Sequence, residues 1–236
     1  TIIFLLIYII MITDIDLSKY NDANTKKNAE CVPANNFRQI ISGGSGSGKT
    51  VFVTNMILKY LNFDRVFIFG PSISQPAYQM LSDTFAGIDD ERKQIAMKFN
   101  DNRRNKTKTM KIPEPILTMA EDLSTFNLDD LDRTQQNLII LDDLILANQK
   151  PIIKLFVRSR NMTCSCIYIT QSYYPVPKII RQSTTSVILF NPTSRRELQQ
   201  LCRDIGSAIE TKVFINTIME ALSKRFSFIK IDLTKG

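Results

Sequence analysis

The run "GGSGSGKT" at residues 43–50 concentrates the residue types that handle phosphate. The chain carries 8 glycines in 236 residues, and Gly43, Gly44, Gly46 and Gly48 all fall in this run. Gly43, Gly48, Lys49 and Thr50 satisfy G-x-x-x-x-G-K-[ST], the pattern of a phosphate-cradling loop. Glycine opens backbone conformations closed to other residues, so successive N–H groups from Gly43 through Gly44, Ser45, Gly46 and Ser47 to Gly48 can turn inward on a polyphosphate. A helix starting near Gly48 aims the positive end of its dipole at the same point. Lys49 then reaches the β- and γ-phosphates and Thr50 Oγ holds Mg²⁺, so the expected cofactors are ATP and Mg²⁺. A flexible Gly/Ser linker is the competing explanation. It fails on context, because Phe37–Ile41 reads as a strand and Val51–Leu61 as a helix, as the motif requires.

A phosphate loop needs acids opposite it. About 90 residues beyond Lys49, "NLIILDDL" sets four apolar residues before Asp142 and Asp143. A buried parallel strand delivers its C-terminal residues to the crevice where ligands bind. There Asp142 anchors Mg²⁺ and Asp143 polarises the attacking water. The following strand, "CSCIYITQS", ends in Thr170 and Gln171. In the P-loop branch with an extra strand between the loop strand and the acid strand, Gln171 faces the γ-phosphate; the plainer alternative is an amide that satisfies strand-end backbone groups. Cys164 and Cys166 alternate with Ser165 and belong to the core on one face.

Arg158 and Arg160 end the helix that enters this strand, which puts them at the opposite edge of the sheet from their own nucleotide. That geometry leaves a role in trans, as an arginine finger given to a neighbouring subunit. Arg181 follows the Gln171 strand and lies closer to its own site. Surface ion pairs are the competing reading for all three.

The elements that must position these residues alternate. Strands at Phe37–Ile41, Arg65–Gly70, "NLIILDDL", "CSCIYITQS", "SVILFN" and "RFSFIKIDL" are separated by helical patterns. These include Gln75–Phe99, "PIIKLFVRSRN", Arg195–Arg203 and Ala208–Leu222; "PILTMAEDLSTFNLDDLDRTQQ" also reads as helical and acidic. The expected fold class is α/β, a P-loop NTPase of the extra-strand, RecA-like branch, its largely parallel sheet covered by helices on both faces. Residues 1–36 read as an N-terminal apolar segment with a polar linker, and 37–236 as the ATPase domain.

The formal charge of +7 and pI near 9.2 suggest a polyanionic partner. With 4 cysteines in no C-x-x-C spacing and 0 histidines, a zinc site or a disulfide framework is not expected, and hydrolysis must rely on carboxylates and amides. Between Lys98 and Lys111 six basic residues stand against one acid. Arg103, Arg104, Lys106 and Lys108 in that stretch are candidate contacts to nucleic-acid phosphates, against the alternative of a solvated surface loop. The opening "TIIFLLIYIIMI" is apolar for about 12 residues, short of the roughly 20 a membrane-spanning helix needs, so stable membrane insertion is not expected. Residues 1–10 are read as non-native sequence ahead of Met11, with a hydrophobic anchor or docking segment as the alternative.

Together "GGSGSGKT", "LIILDDL", "RSRNMTCSCIYITQSYYPVPKIIRQSTTSVILF" and "FSFIKIDL" resemble the genome-packaging ATPases of large DNA viruses and virophages, the poxvirus-type members of the FtsK/HerA superfamily. The resemblance spans Phe37 to Asp232. It implies a homo-oligomeric ring that drives double-stranded DNA into a preformed capsid, with capsid or portal-vertex proteins as partners and the host cytoplasm as its location. By position it makes Asp142 and Asp143 the Walker B pair and Gln171 the strand-end sensor. Arg160 and Arg181 fill the two basic positions. Here Asn161 and Ser183 stand where relatives often carry His and Asn. A HerA-like helicase or translocase in recombination or repair is the alternative job, and a nucleotide switch or structural subunit with little turnover the alternative class. A GTPase is disfavoured, since "NKTK" at Asn105–Lys108 lacks the aspartate of N-K-x-D.

Overall fold

The computed structural model describes residues 33, 36–101, 110–192, 194–205 and 210–234. The candidate DNA contacts Arg103, Arg104, Lys106 and Lys108 lie outside the described residues, as does the apolar run at the N-terminus. In chain order the elements are β1 (Arg38–Ser42), α1 (Lys49–Lys59), β2 (Arg65–Phe69), α2 (Pro76–Asp101), β3 (Leu117–Ala120), β4 (Asn137–Asp142), α3 (Gln149–Arg158), β5 (Cys164–Thr170), α4 (Lys178–Ser183), β6 (Ser186–Leu189), α5 (Arg195–Ile205), α6 (Thr211–Ala221) and β7 (Ile229–Asp232).

The strands form one sheet in the order β3-β2-β4-β5-β1-β6-β7. Every pairing is parallel except that of β7 with β6. This is the expected α/β class. The strand β5 lies between β1 and β4, the extra-strand arrangement anticipated from the motifs. Register aligns the strand ends that matter: Ser42 pairs with Thr170, and Asp142 with Ile169. The residues following β1, β4 and β5 therefore emerge at one edge of the sheet, where an open α/β fold binds its ligands.

Alternation along the strands builds two cores. One face carries Ile41, Ile68, Ile140 and Ile169 against Val53 and Met56 of α1 and Tyr78 and Leu81 of α2. The other carries Ile40, Ile139, Tyr168 and Leu189 against α3, α5 and α6 through Phe156, Leu201 and Phe214. Parallel strands buried on both faces read as continuous apolar runs, which is why they stand out in the sequence. Cys164 and Cys166 both lie in the second core, as their alternation implies, and burial pushes the Cys164 thiol up to about 12.

One segment differs from the sequence expectation. Instead of a helix, the "PILTMAEDLSTFNLDDLDRTQQ" stretch holds the edge strand β3 and a 3₁₀ turn at Leu128–Asp130. A four-residue strand is too short to display a period, and its pairing partner β2 is remote in sequence. Asn127 caps the turn by accepting from Asp129 N–H, so the acidic residues here decorate a turn.

Candidate nucleotide-binding site

The phosphate loop joins the C-terminal end of β1 to the N-terminus of α1. Gly43 N–H donates to Thr170 O at 3.3 Å and Gly44 N–H to Asn191 O at 3.4 Å, which ties the loop to the ends of its neighbours β5 and β6. Two glycines are required for different reasons. A Cβ on Gly43 would lie 2.5 Å from Phe190 Cβ, closer than side chains pack. Gly48, at φ +97°, precedes α1 in the left-handed region that disfavours residues with a Cβ. The Ser47 hydroxyl is buried without a hydrogen-bond partner among the described residues. Such a cradle, with an orphaned hydroxyl and a helix N-terminus, fits a polyphosphate.

Lys49 folds along the loop, its Nζ donating to Gly43 O at 2.7 Å and Gly44 O at 2.9 Å. Burial lowers its pKa, while the charges of Asp142 and Asp143 act to raise it. The ammonium thus lies against the loop carbonyls and within electrostatic reach of the acid pair.

Asp142 closes β4 and is buried. Burial raises the pKa of its carboxyl; a hydrogen bond from Tyr78 acts the other way, Asp143 adds to the rise, and Lys49 and Gln75 oppose it. Tyr78 Oη donates to Asp142 Oδ2 at 2.7 Å, and Gln75 Nε2 approaches the same oxygen at 3.4 Å. Tyr78 is itself 0% exposed, and burial beside this carboxylate drives its phenol well above the ordinary range. One carboxylate beside a phosphate loop, with the Thr50 hydroxyl at the start of α1, suits Mg²⁺, which takes few protein ligands and completes its shell with phosphate and water.

Asp143 stands just past the strand at φ 54°, a left-handed conformation uncommon for a residue with a side chain. Its N–H donates to Ile169 O at 3.1 Å, and Gln171 Nε2 donates to its Oδ2 at 2.8 Å. The amide expected to act as a sensor is therefore wired to the acid expected to orient water. Behind them Gln149, at the start of α3, donates from Nε2 to Leu144 O, Ile145 O and Ala147 O at 2.7, 3.2 and 2.9 Å. That brace holds the turn that follows the acid pair.

Arg158 and Arg181 do not join this group. Arg158 makes a two-pronged ion pair with Asp129, at 2.6 Å and 3.3 Å. Arg160 lies in a 3₁₀ turn at Ser159–Asn161, before the N-terminal end of β5, at the edge opposite the phosphate loop. Arg181 on α4 faces α5: its Nη1 is 3.2 Å from Asp204 Oδ2, and Tyr173 Oη donates to that same oxygen at 3.2 Å. Tyr78, Gln75 and Gln149 are contributors the motifs do not reveal, because a tyrosine on the buried face of a helix reads as core and a glutamine at a helix start as solvated surface.

A cleft of about 510 Å³ opens beside the loop, between Gly44–Ser47, the segment Phe190–Pro192 and the turn Leu222–Ser227.

The family model for the poxvirus A32 protein matches residues 25–85, which contain the phosphate loop, α1 and β2. Over those residues the resemblance to poxvirus-type packaging ATPases is borne out. No curated protein matches the chain by sequence. Among solved structures, the chain is similar to B204, the DNA-packaging ATPase of Sulfolobus turreted icosahedral virus, with 14% identity, coverage of 85% of this chain and 94% of that one, and a TM-score of 0.52. It is likewise similar to the genome-packaging NTPase B204 of Sulfolobus turreted icosahedral virus 2 in complex with AMPPCP, at 14% identity, the same 85% and 94% coverage, and a TM-score of 0.53. At that identity the likeness is one of fold, and the fold is that of a P-loop NTPase.

Proposed function

We propose that the chain is an ATP-driven motor that translocates double-stranded DNA into a preformed viral capsid. The observation that carries the reading is the convergence of Lys49, Asp142, Asp143 and Gln171 at one edge of the sheet, in a chain whose loop region matches the poxvirus A32 family. In this reading residues 37–236 form the ATPase domain, and residues 1–36 a segment and linker ahead of it. Among the described residues no helix is long and apolar enough to cross a membrane.

The loop amides from Gly43 to Gly48 bind the phosphates, and Lys49 exchanges its two carbonyls for phosphate oxygens. Thr50 Oγ and Asp142 would hold Mg²⁺, which would supply neutralisation of phosphate charge. Asp143, oriented by Gln171, accepts a hydrogen bond from the attacking water and aims it in line. A cation must also offset charge on the transferring group. Since Arg158 and Arg181 are engaged elsewhere in their own chain, Arg160 of a neighbouring subunit is assigned that role, which requires a ring. Arg103, Arg104, Lys106 and Lys108 contact the DNA backbone with little regard for sequence. Capsid or portal-vertex proteins are the docking partners, and assembly takes place in the host cytoplasm.

The test is ATP hydrolysis by the purified chain with and without double-stranded DNA, over a range of salt, beside Lys49→Ala and Asp143→Ala. The expected result is stimulation by DNA that falls steeply with salt and vanishes in both variants. Slow turnover indifferent to DNA, in a preparation that binds ATP and forms a ring, would overturn the motor reading in favour of a nucleotide switch.

A further inference from the structure

The cleft beside the phosphate loop has one wall that the phosphate chemistry leaves unexplained. That wall is the turn between α6 and β7, where Ser227 N–H donates to Lys224 O at 3.2 Å and Ser227 Oγ donates to it at 2.6 Å. Phe226 occupies the third position of this turn at φ 63°, a place that usually falls to glycine or asparagine. A bulky aromatic residue held there is a backbone outlier, and such outliers gather at ligand clamps. The ring is also 57% exposed, so burial in the core does not account for it.

The ring's position is specific. A Cβ on Gly48 would lie 3.5 Å from Phe226 Cδ1, so the ring stands beside the first turn of α1 and the mouth of the phosphate loop. Arg225 places its guanidinium 4.7 Å from the ring centroid. Lys224 and Arg225 are both exposed on this turn. Beneath it the base is rigid: Phe228 packs on Phe52 of α1 at 4.6 Å and on Phe190 at 5.6 Å, and Ile229 pairs with Leu189. A firmly anchored turn thus presents a strained aromatic ring across a cleft from Gly44–Ser47.

We infer that Leu222–Ser227 is the nucleobase clamp of this protein, with Phe226 as the stacking surface for the base of a nucleoside triphosphate whose phosphates lie in the Gly43–Gly48 loop. The inference rests on the phosphate-loop reading and adds the subsite for the rest of the nucleotide. The cleft, at about 510 Å³, falls within the range of small-molecule sites. Lys224 and Arg225 put positive charge on the wall that the ribose and first phosphate pass. Recognition by stacking is tolerant, because every base offers a π-face, so the clamp takes purines with little preference between adenine and guanine.

The test is equilibrium binding of ADP, GDP and inorganic tripolyphosphate to the wild type, Phe226→Ala, Phe226→Gly and Phe226→Trp, with a thermal melt of each. Removing the ring should weaken ADP and GDP about tenfold, the scale of one base stacked on one aromatic. Tripolyphosphate, which has no base, should bind all four proteins alike, and Phe226→Trp should keep wild-type ADP affinity with indole fluorescence quenched on binding. Phe226→Gly should melt no lower than the wild type, since glycine relieves the left-handed backbone, while binding ADP as weakly as Phe226→Ala. ADP affinity unchanged by ring removal, a parallel loss of tripolyphosphate, or a large drop in the melting temperature of Phe226→Gly would each overturn the clamp. Failure of the wild type to bind tripolyphosphate and ADP at all would instead overturn the phosphate-loop reading.

Discussion

Replacing Tyr78 by Phe removes one oxygen from the interior and leaves the ring that fills the core beside β4. That oxygen is the close donor to Asp142 Oδ2, at 2.7 Å; Gln75, at 3.4 Å, is a poor substitute. A hydrogen bond to a charged group contributes about 1.5–3 kcal/mol, and here both partners are buried. With about 2–4 °C of melting temperature per kcal/mol in a chain of this size, Tyr78→Phe should lower the midpoint by on the order of 5 °C near neutral pH. The loss has a defined pH dependence. Burial already raises the Asp142 carboxyl above its ordinary value of 3.8, and the Tyr78 hydrogen bond restrains that rise. A carboxyl raised in the folded state contributes stability that is present below its unfolded pKa and is lost as pH rises through its folded pKa. Without the phenol the folded pKa climbs further, so the deficit of Tyr78→Phe is full above both folded pKa values and shrinks as pH falls through them. Calorimetric melts of the wild type, Tyr78→Phe, Asp142→Asn and the double variant at two pH values measure this directly. In the Asp142→Asn background the Tyr78 change should cost markedly less, giving a coupling of about 1 kcal/mol or more at neutral pH. A deficit independent of pH, or a coupling near zero, would refute the account of Asp142 as a buried charge held ionised by Tyr78.

Two further outcomes follow from distances in the same region. Gly43→Ala drives a Cβ to within 2.5 Å of Phe190 Cβ, so overpacking should cost about 1–3 kcal/mol in thermal melts and displace the loop, abolishing nucleotide binding by calorimetry. Arg158 pairs with Asp129 on the surface, so the swapped variant Arg158→Asp with Asp129→Arg should recover both the melting temperature and the ATPase rate lost in Arg158→Asp alone. Recovery of the melt without the ATPase rate would give Arg158 a role beyond its own chain.

The phosphate loop, the acid pair and the β5 amide were legible because each is local: a few residues whose types and spacing carry their own chemistry. The strands of the sheet centre were legible for a related reason, as runs such as Leu138–Leu141 are apolar on both faces. What the sequence did not display is pairing at long range. Tyr78 and Asp142 are 64 residues apart, and nothing in "PAYQM" distinguishes a phenol that holds a carboxylate from one that fills space. The edge strand Leu117–Ala120 escaped because four residues show no period and one partner strand suffices to hold it. Arg181 looked available for its own site on chain position alone; its guanidinium meets Asp204 of α5 and the Tyr173 ring only in the folded chain.

The place of β1 in the sheet also constrains how the protein comes to exist. Among the described strands, the one that carries the phosphate loop precedes all the others in the chain, and its neighbours β5 and β6 come far later. The contacts that lock it span 128 residues between Phe37 and Ser165, and 147 between Gln39 and Ser186. Separations of that length slow folding, because chain closure must precede the contacts that reward it. On the ribosome, "GGSGSGKT" emerges before either β5 or β6, as a bare loop on an unflanked strand. Phe190, against which Gly43 closes, follows only after the strands and helices from α1 to β6 have been made. Nucleotide binding is thus a late property of the nascent chain, acquired together with the centre of the sheet, and a prematurely terminated product would contain the complete motif without a site to go with it.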